Sequence, residues 1–389
     1  MSLPTPDPDA LAYSATLSRH IADEISRAGG WIGFDRFMEL ALYAPGMGYY
    51  SGGARKFGAA GDFVTAPELS LAFSQTLATQ VAQFLALGLT QVIEVGAGSG
   101  RLAADLLLEL ERRAALPASY GILDLSGELR ARQRETIAER APHLLDRVQW
   151  LDRLPERFDG LVVANELLDA MPVHLVVWRS HDNDVGICER GVAFRDGQFA
   201  WEDRPAGGRL LERAQLLAGE QAIPPGYLSE ICLAAPAWVA AWADIIGRGA
   251  LLLIDYGFPQ REYYHPQRNT GTLMCHYRHH AHGEPFYLPG LQDITAHVDF
   301  TAVVEAAYEA GLDFLGYTTQ ATFLFNCGLT EVLARTPAAD AERYLPLANA
   351  AQKLISPAEM GELFKVIALG KGIAEPLLGF RQGDRSATL

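Results

Sequence analysis

Three glycines at alternate positions, Gly96, Gly98 and Gly100, close the apolar run of "VIEVGAGSG", just behind Glu94. Such a turn between a strand and a helix brings backbone N–H groups and the positive helix end toward an anionic group. Acids recur at the ends of the next apolar runs: Asp124 in "ILDLS", followed by Leu125, and Asp152 in "WLDR". Carboxylates there can accept hydrogen bonds from a diol and from the edge of a base, because ligands of parallel sheets bind at the carboxyl ends of the strands. Farther on, "ANELLDAMP" sets Asn165, Glu166 and Asp169 behind a fourth apolar run. Acids in that position can grip a cation, or can simply cap a helix. Upstream, "GDFVTAPE" offers Gly61 for close backbone approach, the acid Asp62, and Thr65, placed to cap a helix beginning at Pro67.

The elements that must position these residues follow from periodicity. "QVIEV", "YGILDLS", "RVQWL", "FDGLVVANEL" and "GALLLIDYG" read as five strands, with helical patterns such as "GRLAADLLLELERRA" and "GELRARQRETIAERA" between the first three. Alternation of this kind predicts an α/β chain with a doubly wound, mostly parallel sheet. "DFLGYTTQ" and "LFKVIALGKG" add two more strands, with the helix "DFTAVVEAAYEAGL" before them. Residues 1–90 read as a helical segment with a cofactor-side loop, preceded by a loose arm over 1–12. Its last helix runs from about Pro67 to Leu87. Residues 91–375 form the core, with insertions at about 175–230, 258–297 and 320–360, and 376–389 read as a flexible tail. The first insertion alternates, with turn signals at Asp182-Asn183 and Asp196-Gly197, and predicts a β meander.

Composition narrows the class. The chain has 389 residues, 49% hydrophobic and 20% charged, with a net charge of −15. An acidic chain is a poor partner for nucleic acid and a better one for a cation. No apolar run approaches the roughly 18 residues of a membrane span. Cys188, Cys232, Cys275 and Cys327 are far apart, without CxxC spacing. With an N-terminus that is neither a secretory signal nor Arg-rich, the expectation is a cytoplasmic protein. "CHYRHHAH" lacks a partner acid at ligand spacing and reads as a polar loop, so no metal is expected. Trp238 and Trp242 read as the packed face of one helix. A dinucleotide fingerprint wants a sixth-position glycine or alanine; counted from Gly96 that position is Arg101, and from Gly98 it is Ala103. The nicotinamide reading is thereby weakened without being excluded.

The pattern from Glu94 to Gly100 resembles motif I of class I S-adenosylmethionine (SAM) methyltransferases. With "GDFVTAPELS", "ANELLDAMPVH", "DYG" after the fifth strand and "DITAHVDF", the chain resembles the MidA-type methyltransferases from about Ile21 to Gly370. The resemblance implies a class I fold, a Rossmann-like seven-stranded sheet with its last strand antiparallel. It implies SAM as cofactor, held around Gly61, Asp62, Thr65, Glu94, Gly96, Gly98, Gly100, Asp124, Leu125, Asp152 and Asn165. It also implies an arginine of a respiratory complex I subunit as methyl acceptor, with Glu166 and Asp169 as catalytic acids, a protein substrate, and room for a homodimer. A small-molecule methyltransferase and a SAM-binding assembly chaperone without turnover stand as alternatives.

Overall fold

The computed structural model describes residues 3–52, 65–181 and 184–389. Among the described residues seven strands form the continuous path of the central sheet: β1 (Gln91–Val95), β2 (Ser119–Leu123), β3 (Val148–Leu151), β4 (Phe158–Asn165), β5 (Ile246–Phe258), β6 (Asp313–Thr319) and β7 (Phe364–Lys371), and the two-residue strand Val298–Asp299 pairs with the end of β5. Their order is β6-β7-β5-β4-β1-β2-β3. β1 to β5 run parallel, and β7 lies antiparallel between β5 and β6. The class I methyltransferase architecture is therefore present, antiparallel last strand included. The inner strands are near-continuous apolar runs because both faces are covered. One face packs on the helices Leu71–Ala86 and Arg101–Arg112, the other on Ala234–Ile245 and Phe300–Glu309. The chain leaves β1 for β2 on one side and returns through β4 on the other, so a crevice opens between β1 and β4.

A second, antiparallel sheet is built from Ile32–Gly33, His174–His181, Asp184–Arg195, Gln198–Pro205 and Tyr227–Ile231. Asp196 and Gly197 both take positive φ, 52° and 81°, as a two-residue hairpin turn requires. The other expected turn, Asp182-Asn183, lies outside the described residues. The helices Pro8–Arg27 and Phe34–Tyr43 pack on this sheet through Leu17, Ile21, Phe34 and Phe37, and carry Tyr43 to the crevice.

Several expectations need correction. The first helix starts at Pro8, with Asp7 accepting the Ala10 N–H at 2.8 Å, so the arm expected over 1–12 is helical from Pro8 on. The helix expected over Pro67–Leu87 is two: Ala66–Leu69, then Leu71–Ala86, divided by extended Ser70, whose hydroxyl caps the second. The tail packs. Gly379 N donates to Gln80 Oε1 at 2.8 Å, Arg385 N donates to Tyr317 O at 2.7 Å, and Phe380 is buried against Phe323. The His-rich stretch forms a hairpin, Met274–Tyr277 with His280–His282, rather than an irregular loop. Among the described residues no helix is long and apolar enough to cross a membrane.

Candidate active site

The registers of the central sheet line the site residues up. Val95 pairs with Leu123 and with Ala164, Leu123 with Leu151, and Asn165 with Ile254. One residue past these pairs stand Asp152, Asp124, Gly96, Glu166 and Asp255, all at the carboxyl end of the parallel strands. A cleft of about 890 Å³ opens there. Its lining includes Glu94, Gly96, Gly98, Asp124, Leu125 and Asp152 on the side of β1 to β3. Toward β4 and the N-terminal helices it includes Tyr43, Tyr50, Thr65, Asn165, Glu166, Asp169 and Asp293.

The three glycines have different jobs. All take positive φ, where a side chain is strained: 70° at Gly96, 53° at Gly98 and 83° at Gly100. A Cβ on Gly96 would stand 2.9 Å from Leu167 Cδ1, and one on Gly98 would meet nothing within 4 Å. Gly98 therefore shows bare backbone to the cleft. A Cβ on Gly100 would stand 2.8 Å from Gln133 Cα. Gly100, expected among the cofactor contacts, is outside the lining; it lets the helix Gly127–Arg140 approach the turn.

Gln133 links this end of the cleft. Fully buried, it donates through Nε2 to Asp124 Oδ2 at 2.8 Å and to Gly98 O at 3.2 Å, and accepts the Trp150 indole N–H at 3.0 Å. Asp124 Oδ1 accepts the Ser126 N–H at 2.9 Å. Burial raises its pKa, and the Ser126 and Gln133 donors oppose the rise. Glu94 Oε2 takes the Tyr120 hydroxyl at 2.5 Å, and burial lifts Glu94 to about 7. Asp152 sits at the rim with its side chain 87% exposed, paired with Arg130, whose Nε also donates to Asp124 O at 2.8 Å. Leu125 is similarly exposed.

Across the cleft, Thr65 occupies the N-cap position of Ala66–Leu69 but makes no side-chain bond to it. Glu166 Oε1 instead accepts the Ala66 N–H at 3.2 Å, together with Asn165 Nδ2 at 2.9 Å. The Ser99 hydroxyl donates to Glu68 and ties that short helix to the glycine turn. Gly61 and Asp62 lie outside the described residues.

No helix follows Glu166, so neither it nor Asp169 caps one there. Glu166 itself takes φ 52°, a left-handed conformation uncommon for a residue with a side chain. Its Oε2, Asp169 Oδ1 and Asn165 Oδ1 are enclosed and without a hydrogen-bond partner among the described residues. Burial, then the Asp169 carboxyl, pushes Glu166 up to about 8 against the Ala66 and Asn165 donors. Burial likewise lifts Asp169 to about 6, while the Tyr256 hydroxyl pulls it down. Tyr50 donates its hydroxyl to Asp293 at 2.9 Å and stacks on Tyr43 at 5.5 Å; Tyr43 donates to Ala170 O at 2.9 Å.

Residues 76–318 match the family described as "Putative S-adenosyl-L-methionine-dependent methyltransferase". The chain belongs to this methyltransferase family. A solved structure from Burkholderia thailandensis, bound to S-adenosylhomocysteine, is 57% identical; the match covers 100% of both chains with a TM-score of 0.95. The zebrafish (Danio rerio) "Protein arginine methyltransferase NDUFAF7, mitochondrial" is 26% identical over 92% of this chain and 87% of its own. The mouse (Mus musculus) protein of the same name is 28% identical over 90% and 83%. The nicotinamide reading of the glycine turn falls away.

The cofactor of this methyltransferase is SAM, and the cleft fits it. Gly98 exposes backbone where a cofactor can approach closely, as its open surroundings at positive φ show. Each Asp124 oxygen already accepts one donor and keeps a lone pair for a ribose hydroxyl. Leu125, Leu129 and Leu154 give that end an apolar wall for a base.

Reasoning from sequence missed Gln133, Tyr43, Tyr50, Asp255 and Asp293. "DYG" and "DITAHVDF" held two of them, and Asp255 had the same signal as Asp124, an acid just past an apolar strand. Gln133 and Tyr43 carried none, because their helical spacing reads as packing, and Tyr50 lies in the turns that follow Pro45. Trp238 is a partial correction: it meets the buried Trp242 edge-on at 6.0 Å but also lines the cleft. Among the described residues one cluster has metal-ligand geometry, Asp35, His174 and Glu189. It lies outside the cleft lining, with His174 Nδ1 paired to Glu189 at 2.7 Å.

Proposed function

We propose that this methyltransferase is a protein arginine N-methyltransferase, acting on a core subunit of respiratory complex I or its homologue during assembly. One observation carries the acceptor class. Asn165, Glu166 and Asp169 present three enclosed oxygens that have no donor among the described residues. A buried acceptor without a donor costs about 1–3 kcal/mol. A guanidinium brings five N–H donors and no acceptor, and two N–H groups can lie in parallel on one carboxylate. The acidic surroundings of Asp255 and Asp293 favour a cation in the same place. The relatives named as arginine methyltransferases support the acceptor class; the complex I target rests on the sequence resemblance alone.

When bound, SAM supplies an activated methyl group, transferred by in-line displacement. The chain's own residues orient the nucleophile and receive its proton. Glu166 holds two guanidinium N–H groups and draws positive charge away from the attacking nitrogen. As the new N–C bond forms, that nitrogen sheds an N–H proton. Asp169, lifted by burial to about 6, accepts it better than an exposed aspartate would.

The test incubates the protein with methyl-labelled SAM and arginine peptides, alongside peptide mass mapping of complex I from cells with and without it. Methylated arginine is the expected product. Label on small molecules alone would identify a small-molecule enzyme. Cofactor binding with no transfer would identify an assembly chaperone.

A further inference from the structure

Asp255 lies in the buried run of β5, one residue past its pairing with β4, and is 1% exposed. Its Oδ2 accepts three consecutive backbone N–H groups, from Leu167 at 3.1 Å, Leu168 at 2.8 Å and Asp169 at 3.3 Å. Its Oδ1 accepts the Tyr256 N–H at 2.9 Å. Glu166 N donates to Ile254 O at 2.9 Å, so both ends of the turn are tied to β5. A left-handed glutamate persists only where its surroundings over-determine it. The four bonds from the Glu166, Leu167, Leu168 and Asp169 amides are that surrounding.

We infer that Asp255 is a positioning residue for the methyl-acceptor site: its carboxylate gathers the turn that carries Glu166 and Asp169 and holds their side chains in the cleft. The inference rests on the arginine reading for the kind of acceptor, not for the geometry. Asp255 also shares one enclosure with both acids, and like charges so placed oppose each other's ionisation. The other groups around this trio are Asp293 with Tyr50, Tyr43, Tyr256 and its edge-on neighbour His297. Lys365, the register partner of Asp255, turns its Nζ to the Glu362 and Leu363 carbonyls instead.

The test is a double-mutant cycle on the full chain. Asp255→Asn keeps the size and replaces one of the two accepting oxygens with an NH2 group. Against wild-type Glu166 it should lower kcat/KM for an arginine peptide by about 100-fold, and against Glu166→Gln by less than about 3-fold, with SAM affinity kept in both. Equal losses in the two backgrounds would overturn the inference. A second readout needs no acceptor: the Leu167, Leu168 and Asp169 amide ¹⁵N resonances should shift together in Asp255→Asn, and unmoved resonances would overturn it. If Asp255→Asn fails to fold, the wild type suffices. The Leu167, Leu168 and Asp169 amide resonances should then titrate together, and separate midpoints would overturn the inference. Should the wild type leave arginine peptides untouched while the amide shift holds, the arginine reading falls and the positioning role is supported.

Discussion

The two ends of the cleft treat their acids differently. At the cofactor end, Asp124 and Glu94 are buried but served: Ser126, Gln133 and Tyr120 each donate to them. At the acceptor end, Glu166, Asp169 and Asn165 keep enclosed oxygens without donors among the described residues. A satisfied carboxylate is a finished binding surface, rigid before its ligand arrives. An unsatisfied one raises the free energy of the protein until a donor-rich ligand docks. The difference separates two kinds of surface: the cofactor end is a preformed cradle, whereas the end proposed for the acceptor keeps oxygens unpaired among the described residues.

The sharpest way to break this contrast is Glu166→Gln. Shape is kept and the charge is lost, so methyl transfer should fall by at least about 100-fold while SAM affinity stays within about 3-fold. Normal turnover by that variant would erase the distinction; lost SAM binding would move Glu166 to the other end of the cleft. Next in size is Asp124→Ala. Removing a charged acceptor of the ribose diol should weaken SAM binding by about 10- to 100-fold in calorimetry. An unchanged dissociation constant would place the ribose elsewhere.

A smaller effect follows from protonation. Glu166 titrates at about 8, above its ordinary carboxylate value, because burial and Asp169 disfavour its charge. Its stabilising contribution is therefore complete below the unfolded pKa and is lost as pH rises through about 8. Glu166→Gln, neutral throughout, should match the wild-type thermal midpoint near pH 5 and exceed it by roughly 2–5 °C near pH 9. Parallel melting curves at the two pH values would mean that water screens this carboxyl. The smallest expected change is Asp152→Ala, which should alter SAM affinity by less than about 3-fold because an exposed ion pair is worth about 0–1 kcal/mol. A tenfold loss would bring the rim acid into the cofactor cradle after all.

What the sequence determined by itself was whatever depends on local pattern. The apolar runs marked all seven strands, since residues buried on both faces of a parallel sheet must be apolar. Glycines and acids just past those runs marked the carboxyl ends where ligands of such sheets bind. Glu166 and Asp169 were legible for the same reason. Tertiary structure alone decided the rest, because it depends on residues far apart in the chain. Register brought Asp255 beside Glu166, 89 positions earlier. Packing aimed Gln133 at Asp124 and carried Tyr43, the last residue of its helix, and Tyr50, in the turns after it, to the acceptor end. The same packing gave Gly100 a helix to accommodate instead of a ligand, and buried Leu377 and Phe380 in a tail that composition left unanchored. A sequence shows which groups are available; which of them are enclosed, and left without a partner, is a property of the folded chain.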